Sequence, residues 1–186
     1  MTDTKQKIKV YWMSEFSSKE AYDSFIEYML SNSEYFSFVY FGYGLNPKMK
    51  AGMREISTDL KGYKVHSQKT LNMPGMISLD TDNTYKMTIY RSDPNVHKIL
   101  TKENGIFEWD YPKRPMDLAF FRNGYAWFVS VSHEGYAYFI TDDEKEIKHL
   151  MDIGVNIDDI SEEDNSFLFY WKFGEKIQPP DINKLK

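Results

Sequence analysis

The chain has 186 residues, no cysteine and a formal net charge of −5, and 17% of its residues are aromatic. The missing cysteines exclude disulfides, thiolate metal sites and iron–sulfur clusters, and the aromatic content argues against a disordered chain. The length favours one domain over residues 1–186, and the mild acidity argues against a nucleic-acid-binding protein. Residues 1–9 lack an apolar signal segment and no apolar stretch is long enough to span a membrane, so we expect a cytoplasmic protein.

Strand and helix signals alternate at the start of the chain. Apolar residues alternate over Ile8–Met13, which predicts a first strand. Ser17 and Glu20 match a capping box in front of an apolar stripe, which predicts a helix ending near Ser31. The aromatic and β-branched residues of Tyr35–Phe41 predict a second strand.

Regular signals weaken over residues 46–83, which we interpret as a long, partly irregular insertion. The pattern allows a short helix at Lys48–Leu60 within it. After the insertion, Thr84–Tyr90 predicts a strand, and Asp93 is a candidate cap for a short helix. A further short strand is predicted at Ile106–Trp109.

A β-hairpin is the strongest local prediction in the second half of the chain. Asn123–Gly124 favours a two-residue turn because both residues tolerate positive φ. This turn pairs Phe120 with Trp127 and Leu118 with Val129.

A second two-residue turn is predicted at Glu134–Gly135, and it pairs Val131 with Tyr138. Together the two registers predict one shared apolar face. Its members are Leu118, Phe120, Trp127, Val129, Val131, Tyr138 and Ile140.

The last third of the chain predicts one helix and one strand. Thr141 and Glu144 match a capping box, and Gly154 is a natural helix stop. An acidic connection follows, then a strand at Ser166–Phe173 and a tail at residues 175–186. The complete pattern predicts an α+β domain with a mainly antiparallel sheet and about three helices.

No catalytic, cofactor or metal site is predicted. The four histidines, at positions 66, 97, 133 and 149, lack partners at ligand spacing, and no nucleophile elbow occurs. Glu108, Asp110 and Asp117 form the nearest approach to a catalytic set, because paired carboxylates perform acid–base chemistry when burial separates their pKa values. Solvent-exposed ends of strands explain these three residues equally well.

Charge is distributed unevenly along the chain. Residues 142–164 contain ten acidic and two basic residues, a local charge of −8, which leaves +3 on the rest. Residues 48–69 contain six basic and two acidic residues. The acidic segment is either a surface that attracts a basic partner or a solvated helix face, and both interpretations remain open.

The partner-binding hypothesis combines these carboxylates with neighbouring aromatic residues, because aromatic side chains often anchor protein interfaces. The candidate residues are Asp142, Asp143, Glu144, Glu146, Asp158, Asp159, Glu162, Glu163, Tyr136 and Tyr138.

A family resemblance agrees with this hypothesis. The sequence Asp-Leu-Ala-Phe-Phe-Arg-Asn-Gly at 117–124, then Trp127, His133–Glu134 and the helix signal from Thr141 to Gly154, resembles small cytosolic proteins of Gram-positive bacteria. Some of these resemble immunity proteins, which protect a cell from its own secreted polymorphic toxin. The resemblance implies a small, acidic, non-enzymatic protein that blocks a basic partner.

Two alternatives come from other classes of function. The aromatic content and the basic segment at 48–69 are also typical of a domain that binds a small, nucleotide-like molecule. A hydrolase using Glu108, Asp110 or Asp117 is the third reading, and its minimum requirement is a concave pocket holding at least two of these carboxylates.

Overall fold

A large antiparallel sheet is the centre of the fold. The computed structural model describes residues 7–41, 47–78, 85–164 and 167–171. Within these ranges eight strands pair in the order β10-β1-β9-β8-β7-β2-β6-β3, every pairing is antiparallel, and β4 and β5 form a separate hairpin. The strands are β1 (Ile8–Phe16), β2 (Tyr35–Phe41), β3 (Lys64–Lys69), β4 (Asn72–Met73), β5 (Met76–Ile77), β6 (Tyr85–Arg91), β7 (Met116–Arg122), β8 (Tyr125–Val131), β9 (Tyr136–Ile140) and β10 (Val155–Glu163).

Four α-helices occur in the described ranges. They are α1 (Lys19–Ser31), α2 (Pro47–Asp59), α3 (His97–Leu100) and α4 (Glu144–Asp152). The α+β class and the mainly antiparallel sheet are therefore confirmed, and α2 confirms the short helix predicted inside the insertion. With β3, β4 and β5, the insertion is more regular than its sequence indicated. Residues 79–84 and the tail at 175–186 lie outside the described residues.

All four helices contribute to one hydrophobic cluster with one face of the sheet. Apolar stripes of the helices, such as Phe25 on α1 and Leu150 on α4, pack there against Phe120, Phe128 and Phe139. Phe25 contacts these three rings at centroid distances of 5.1–6.5 Å. Because ring pairs of this kind add to simple burial, this cluster is the main core.

The opposite face of the sheet is covered by two short segments. Gly75, between β4 and β5, lies so close to Val129 and Val131 that a Cβ atom would overlap both side chains, and its φ of +74° also requires glycine. Phe169 and Trp171 cover the same face further along. The central strands are therefore buried on both sides.

A β-bulge corrects the predicted register of the first hairpin. The turn at residues 123–124 is confirmed, but a shift between Phe120 and Phe121 pairs Phe120 with Phe128 instead of Trp127. The extra residue moves part of the predicted common face to the other side of the sheet. Leu118, Phe120 and Trp127 thus lie in the main core, while the other four predicted members lie on the opposite face.

The second hairpin has a longer connection than predicted. A 3₁₀ turn at Ser132–Glu134 and the left-handed Gly135 replace the two-residue turn, so Val131 pairs with Tyr136. The shift is an even number of residues, which leaves every side chain on its predicted face.

Three other predictions are corrected. The acidic connection after Gly154 is in fact strand β10, which pairs with β1. Ile106–Glu108 forms a 3₁₀ turn instead of a strand. Of the strand predicted at Ser166–Phe173, the described residues 167–171 reach β8 through a single bridge from Tyr170 to Tyr125.

Both helix caps lie one or two residues beyond the predicted positions. Ser18 caps α1 by accepting a hydrogen bond from the Ala21 amide, and the Ser17 amide donates to the Gly154 carbonyl. Asp143 caps α4 by accepting from the Lys145 amide.

A buried ion pair joins α4 to the sheet. Arg122 Nη1 and Nη2 donate to the Glu146 carboxylate at 2.7 and 2.9 Å, and Tyr28 and Thr141 donate to the same group. The guanidinium also lies 3.9 Å from the centre of the Trp127 ring. Burial alone raises the pKa of Glu146, but the hydrogen bonds from Arg122 and Thr141 outweigh it and hold that pKa below its ordinary value.

We expect Glu146→Gln to lower the free energy of unfolding by about 1–3 kcal/mol at neutral pH, because a buried, charge-assisted pair is lost. Urea denaturation measures this. A carboxyl group with a lowered folded-state pKa contributes stability above its unfolded-state pKa, and the contribution disappears as the pH falls through the folded-state value. The difference between variant and wild type therefore shrinks in acid.

Glu144→Gln is the matched control on the same helix. Glu144 is exposed and pairs with Lys9 at the surface, so its loss costs less than about 0.5 kcal/mol. Equal destabilisation by the two variants contradicts the assignment of Glu146 as the structural carboxylate.

Candidate functional site

Strand β10 forms one edge of the eight-stranded sheet and carries four of the eight carboxylates predicted to bind a partner. Asp158, Asp159 and Glu162 are exposed on it, and Glu163 is half-buried. Among the described residues no strand pairs with its outer side. An edge strand of this kind presents unpaired backbone N–H and C=O groups to its surroundings.

The start of α4 lies beside the second half of β10. Lys9 donates to Glu144 at 2.9 Å and lies opposite Glu162 in the register of β1 and β10. We call this combined surface the acidic edge. It consists of Asp142, Asp143, Glu144, Asp158, Asp159, Glu162 and Glu163.

Two lysines neutralise a small part of the acidic edge. Lys9 pairs with Glu144, which raises the pKa of Lys9, and Lys7 lies 3.8 Å from Glu162. Both pairs are largely exposed and therefore weak.

Exposed apolar side chains lie on the same two elements. Met151 on α4 is 53% exposed and Ile160 on β10 is 59% exposed.

Two residues of the predicted partner surface lie in the interior. Glu146 is held by Arg122, and Tyr138 is 2% exposed on the sheet face that lies opposite the helices. Tyr138 packs against Trp12 at a centroid distance of 5.1 Å. Tyr136 is half-buried, and its hydroxyl donates to the Gly75 carbonyl. Neither Glu146 nor Tyr138 is available to a partner in this structure.

A cavity of about 200 Å³ opens at one end of the sheet. The end of β2, the beginnings of β6 and β7, and Met76 of β5 supply part of its wall, and the connections before β7 and after β8 supply the rest. We call it the His133 cavity. Its lining residues are Phe41, Met76, Tyr85, Asp110, Tyr111, Met116 and His133.

Asp117 lies behind His133 and holds the backbone next to it. It is 1% exposed and has a φ of +56°, which is uncommon for any residue other than glycine. Its Oδ1 accepts a hydrogen bond from the Ser132 amide at 2.9 Å and lies 3.6 Å from His133 Nδ1. Its Oδ2 is buried and has no hydrogen-bond partner among the described residues.

The electrostatic potential at the His133 cavity is negative. The Asp117 carboxylate raises the pKa of His133, and Glu134 and Asp110 add to the effect. Burial raises the pKa of Asp110, and the charge of Asp117 raises it further. Perturbed titratable groups beside a cavity are typical of functional sites.

The structure separates the three carboxylates considered for catalysis. Glu108 and Asp110 both line a groove of about 700 Å³ that lies next to the His133 cavity, whereas Asp117 lies behind His133. The Glu108 carboxylate accepts a hydrogen bond from the Asn104 amide, and the Arg114 side chain of the groove is bound to Glu103. The groove thus contains two of the three candidates, but Glu108 already acts as a local backbone cap.

Sequence reasoning did not predict the His133 cavity. Asp117 and His133 are 16 positions apart, and only the three-dimensional path of β7 and β8 brings them together. The rings of Phe41, Tyr85 and Tyr111 come from three separate segments. No spacing along the chain indicates this grouping.

Comparisons of the chain with protein-family models, with curated proteins and with solved structures found no match. In the described part of the chain, no group of three or more His, Asp or Glu side chains is arranged to hold a metal ion. None of the helices described is both long and apolar enough to cross a membrane.

We expect Asp117→Asn to lower the pKa of His133 toward its ordinary value of about 6.5, because the neighbouring negative charge is removed. Asparagine retains an oxygen that accepts from the Ser132 amide, and it tolerates positive φ. NMR titration of the imidazole C–H resonances measures the change.

Glu108→Gln serves as the control for that titration, because it removes one charge from the neighbouring turn without touching His133. An unchanged His133 pKa in Asp117→Asn contradicts the electrostatic coupling of these two residues.

Proposed function

We propose that this protein is a non-enzymatic interaction protein of the immunity type, which binds a basic partner protein through the acidic edge. The observation that carries the proposal is the position of the acidic run. Four of its ten carboxylates lie on an outermost strand, where they are presented together with the backbone edge, and the start of α4 adds others beside them.

An extended basic segment is the partner chemistry that this surface fits. A partner strand can extend a sheet by pairing with an open edge, with affinity from backbone hydrogen bonds and specificity from alternate side chains. On β10, Asp158 and Glu162 supply charge at exposed positions and Ile160 supplies an apolar contact between them. Lysine and arginine side chains of a partner would then steer and orient the encounter.

The same charges discriminate between partners. Carboxylates on an edge strand repel a second acidic edge, which suppresses pairing of β10 with another copy of itself. A basic strand is attracted by the charges that exclude an acidic one. Protection of the edge by charge and selection of a basic partner are therefore compatible roles for these residues.

The resemblance to immunity proteins supports the class of partner. Such proteins block a basic toxin with carboxylates, and the surface with that chemistry here is the acidic edge. The hydrolase alternative meets its minimum requirement, because the groove beside the His133 cavity holds both Glu108 and Asp110, but the Glu108 carboxylate already accepts a hydrogen bond from the Asn104 amide. Both ring nitrogens of His133 face carboxylates, at 3.6 and 3.7 Å, so neither is left open as a base. The small-molecule alternative has the His133 cavity in its favour.

Charge reversal on β10 tests the proposal. Asp158→Lys combined with Glu162→Lys is expected to weaken binding of a basic partner by about tenfold or more, because two attractive contacts become repulsive. The partner is first captured from host lysate with the tagged wild-type protein, and its affinity is then measured at low and high salt. Glu146 is left unchanged because its reversal would break the buried pair with Arg122.

The matched control reverses two exposed acids away from the acidic edge, Glu27→Lys with Glu34→Lys, which changes the net charge by the same amount. Ile160→Ser tests the apolar contact alone. Equal binding by the β10 variant and the control shows that overall charge, and not the acidic edge, governs the interaction, and this result overturns the proposal.

A further inference from the structure

We propose that the His133 cavity is a binding site for a small organic cation, that is, an ammonium group in primary or methylated form. The geometry points to this class of ligand because three aromatic rings and a half-buried carboxylate line one cavity. The site lies at an end of the sheet, away from the acidic edge, and does not depend on partner binding.

Three rings form one connected wall of the cavity. Phe41 and Tyr85 face each other across β2 and β6 with centroids 5.1 Å apart and planes inclined by 29°. Tyr111 meets Phe41 edge-on, with centroids 5.0 Å apart. Aromatic faces carry partial negative charge and attract cations, most strongly where water is excluded.

Carboxylates supply negative charge on the side of the cavity that lies opposite the three rings. Asp110 lines the cavity, while Asp117 and Glu134 lie behind His133. Three carboxylates thus lie near the His133 imidazole, and among the described residues that line the cavity there is no lysine or arginine. Because a poorly hydrated carboxylate is unfavourable without a counter-charge, a bound cation would stabilise Asp110.

Other ligand classes fit the cavity less well. An anion such as a phosphate would face the Asp110 carboxylate, with Asp117 and Glu134 behind His133 adding further repulsion. A metal ion requires three or more protein ligands in most sites, and the described residues offer no such group. A neutral apolar molecule would cover the rings but remove water from the half-buried Asp110 carboxylate without supplying a counter-charge.

The charge of the site predicts its pH dependence. The groups facing His133 are Asp110, Asp117 and Glu134, and all of them hold its proton more tightly. As the pH falls, His133 gains positive charge and Asp110 loses negative charge, so cation binding weakens. By linkage, a bound cation lowers the pKa of His133.

Calorimetry with the full chain tests the proposal with choline and n-butylammonium as probes. Each probe is compared with a neutral analogue of the same shape, 3,3-dimethylbutan-1-ol for choline and butan-1-ol for butylammonium. We expect the cations to bind at least about tenfold more tightly than the neutral analogues. Binding of choline, which does not titrate, is expected to strengthen between about pH 5.5 and pH 8.5.

Two variants locate the site. Asp110→Asn removes the lining charge and Tyr85→Leu removes one ring face while keeping an apolar side chain, and each is expected to weaken choline binding by about fivefold or more. Glu108→Gln removes a charge from the same turn outside the cavity and is the matched control. Should Tyr85→Leu fail to fold, NMR titration of His133 in the wild type with and without choline supplies an independent readout.

A further arm distinguishes a free amine from the lysine side chain of a peptide. N-acetyl-lysine amide, unmethylated and trimethylated, is compared with butylammonium and choline. Similar affinities assign the site to a lysine side chain, and binding of the free amines alone assigns it to a small metabolite. Absence of binding by every cation, equal binding of the neutral analogues, or an unchanged His133 pKa at saturating choline overturns the proposal.

Discussion

The burial of the central strands on both faces is the constraint on which the rest of the structure depends. An antiparallel sheet commonly leaves one face in water, but here six consecutive residues are buried both in β7 and in β8. Helices cover one side, and the β4–β5 hairpin and residues 167–171 cover the other. Ligands and partners can therefore reach the sheet at its edges and ends, and both candidate sites lie there.

The local rules of sequence predicted most of the elements. Strand β2 begins and ends at its predicted residues, and α2 begins and ends within one residue of its prediction. The errors occur where long-range pairing overrides a local pattern. Nothing in Ile106–Glu108 marks the 3₁₀ turn, and the acids of Val155–Glu163 obscured a strand whose pairing with β1 provides its stability.

The bulge at Phe120 shows why the sheet faces were harder to predict than the strands. One additional residue on β8 places every later side chain on the opposite sheet face from the one predicted. The large apolar side chains that flank the bulge fit either face equally well. Alternation distinguishes inside from outside only when one face is polar. In these strands both faces are apolar, so the sequence contains no local signal that fixes the register.

The burial of Glu146 is a feature that helical periodicity in the sequence does predict. Its position four residues before Leu150 places it on the buried stripe of α4, where a carboxylate requires a partner. Helical periodicity therefore distinguishes Glu146 from its exposed neighbour Glu144. The identity of the partner, Arg122 on β7, follows only from the packing of α4 on the sheet.

The charge of Asp117 is the feature that connects fold and function most directly. Capping of the Ser132 amide requires one acceptor oxygen, which asparagine also provides, without burying a charge. The carboxylate instead buries a charge and leaves Oδ2 without a hydrogen bond in the described structure, which reduces stability. What the negative charge alone provides is the raised pKa of His133 and the negative potential of the cavity. A residue that is unfavourable for folding and decisive for local electrostatics is the pattern expected of a functional site.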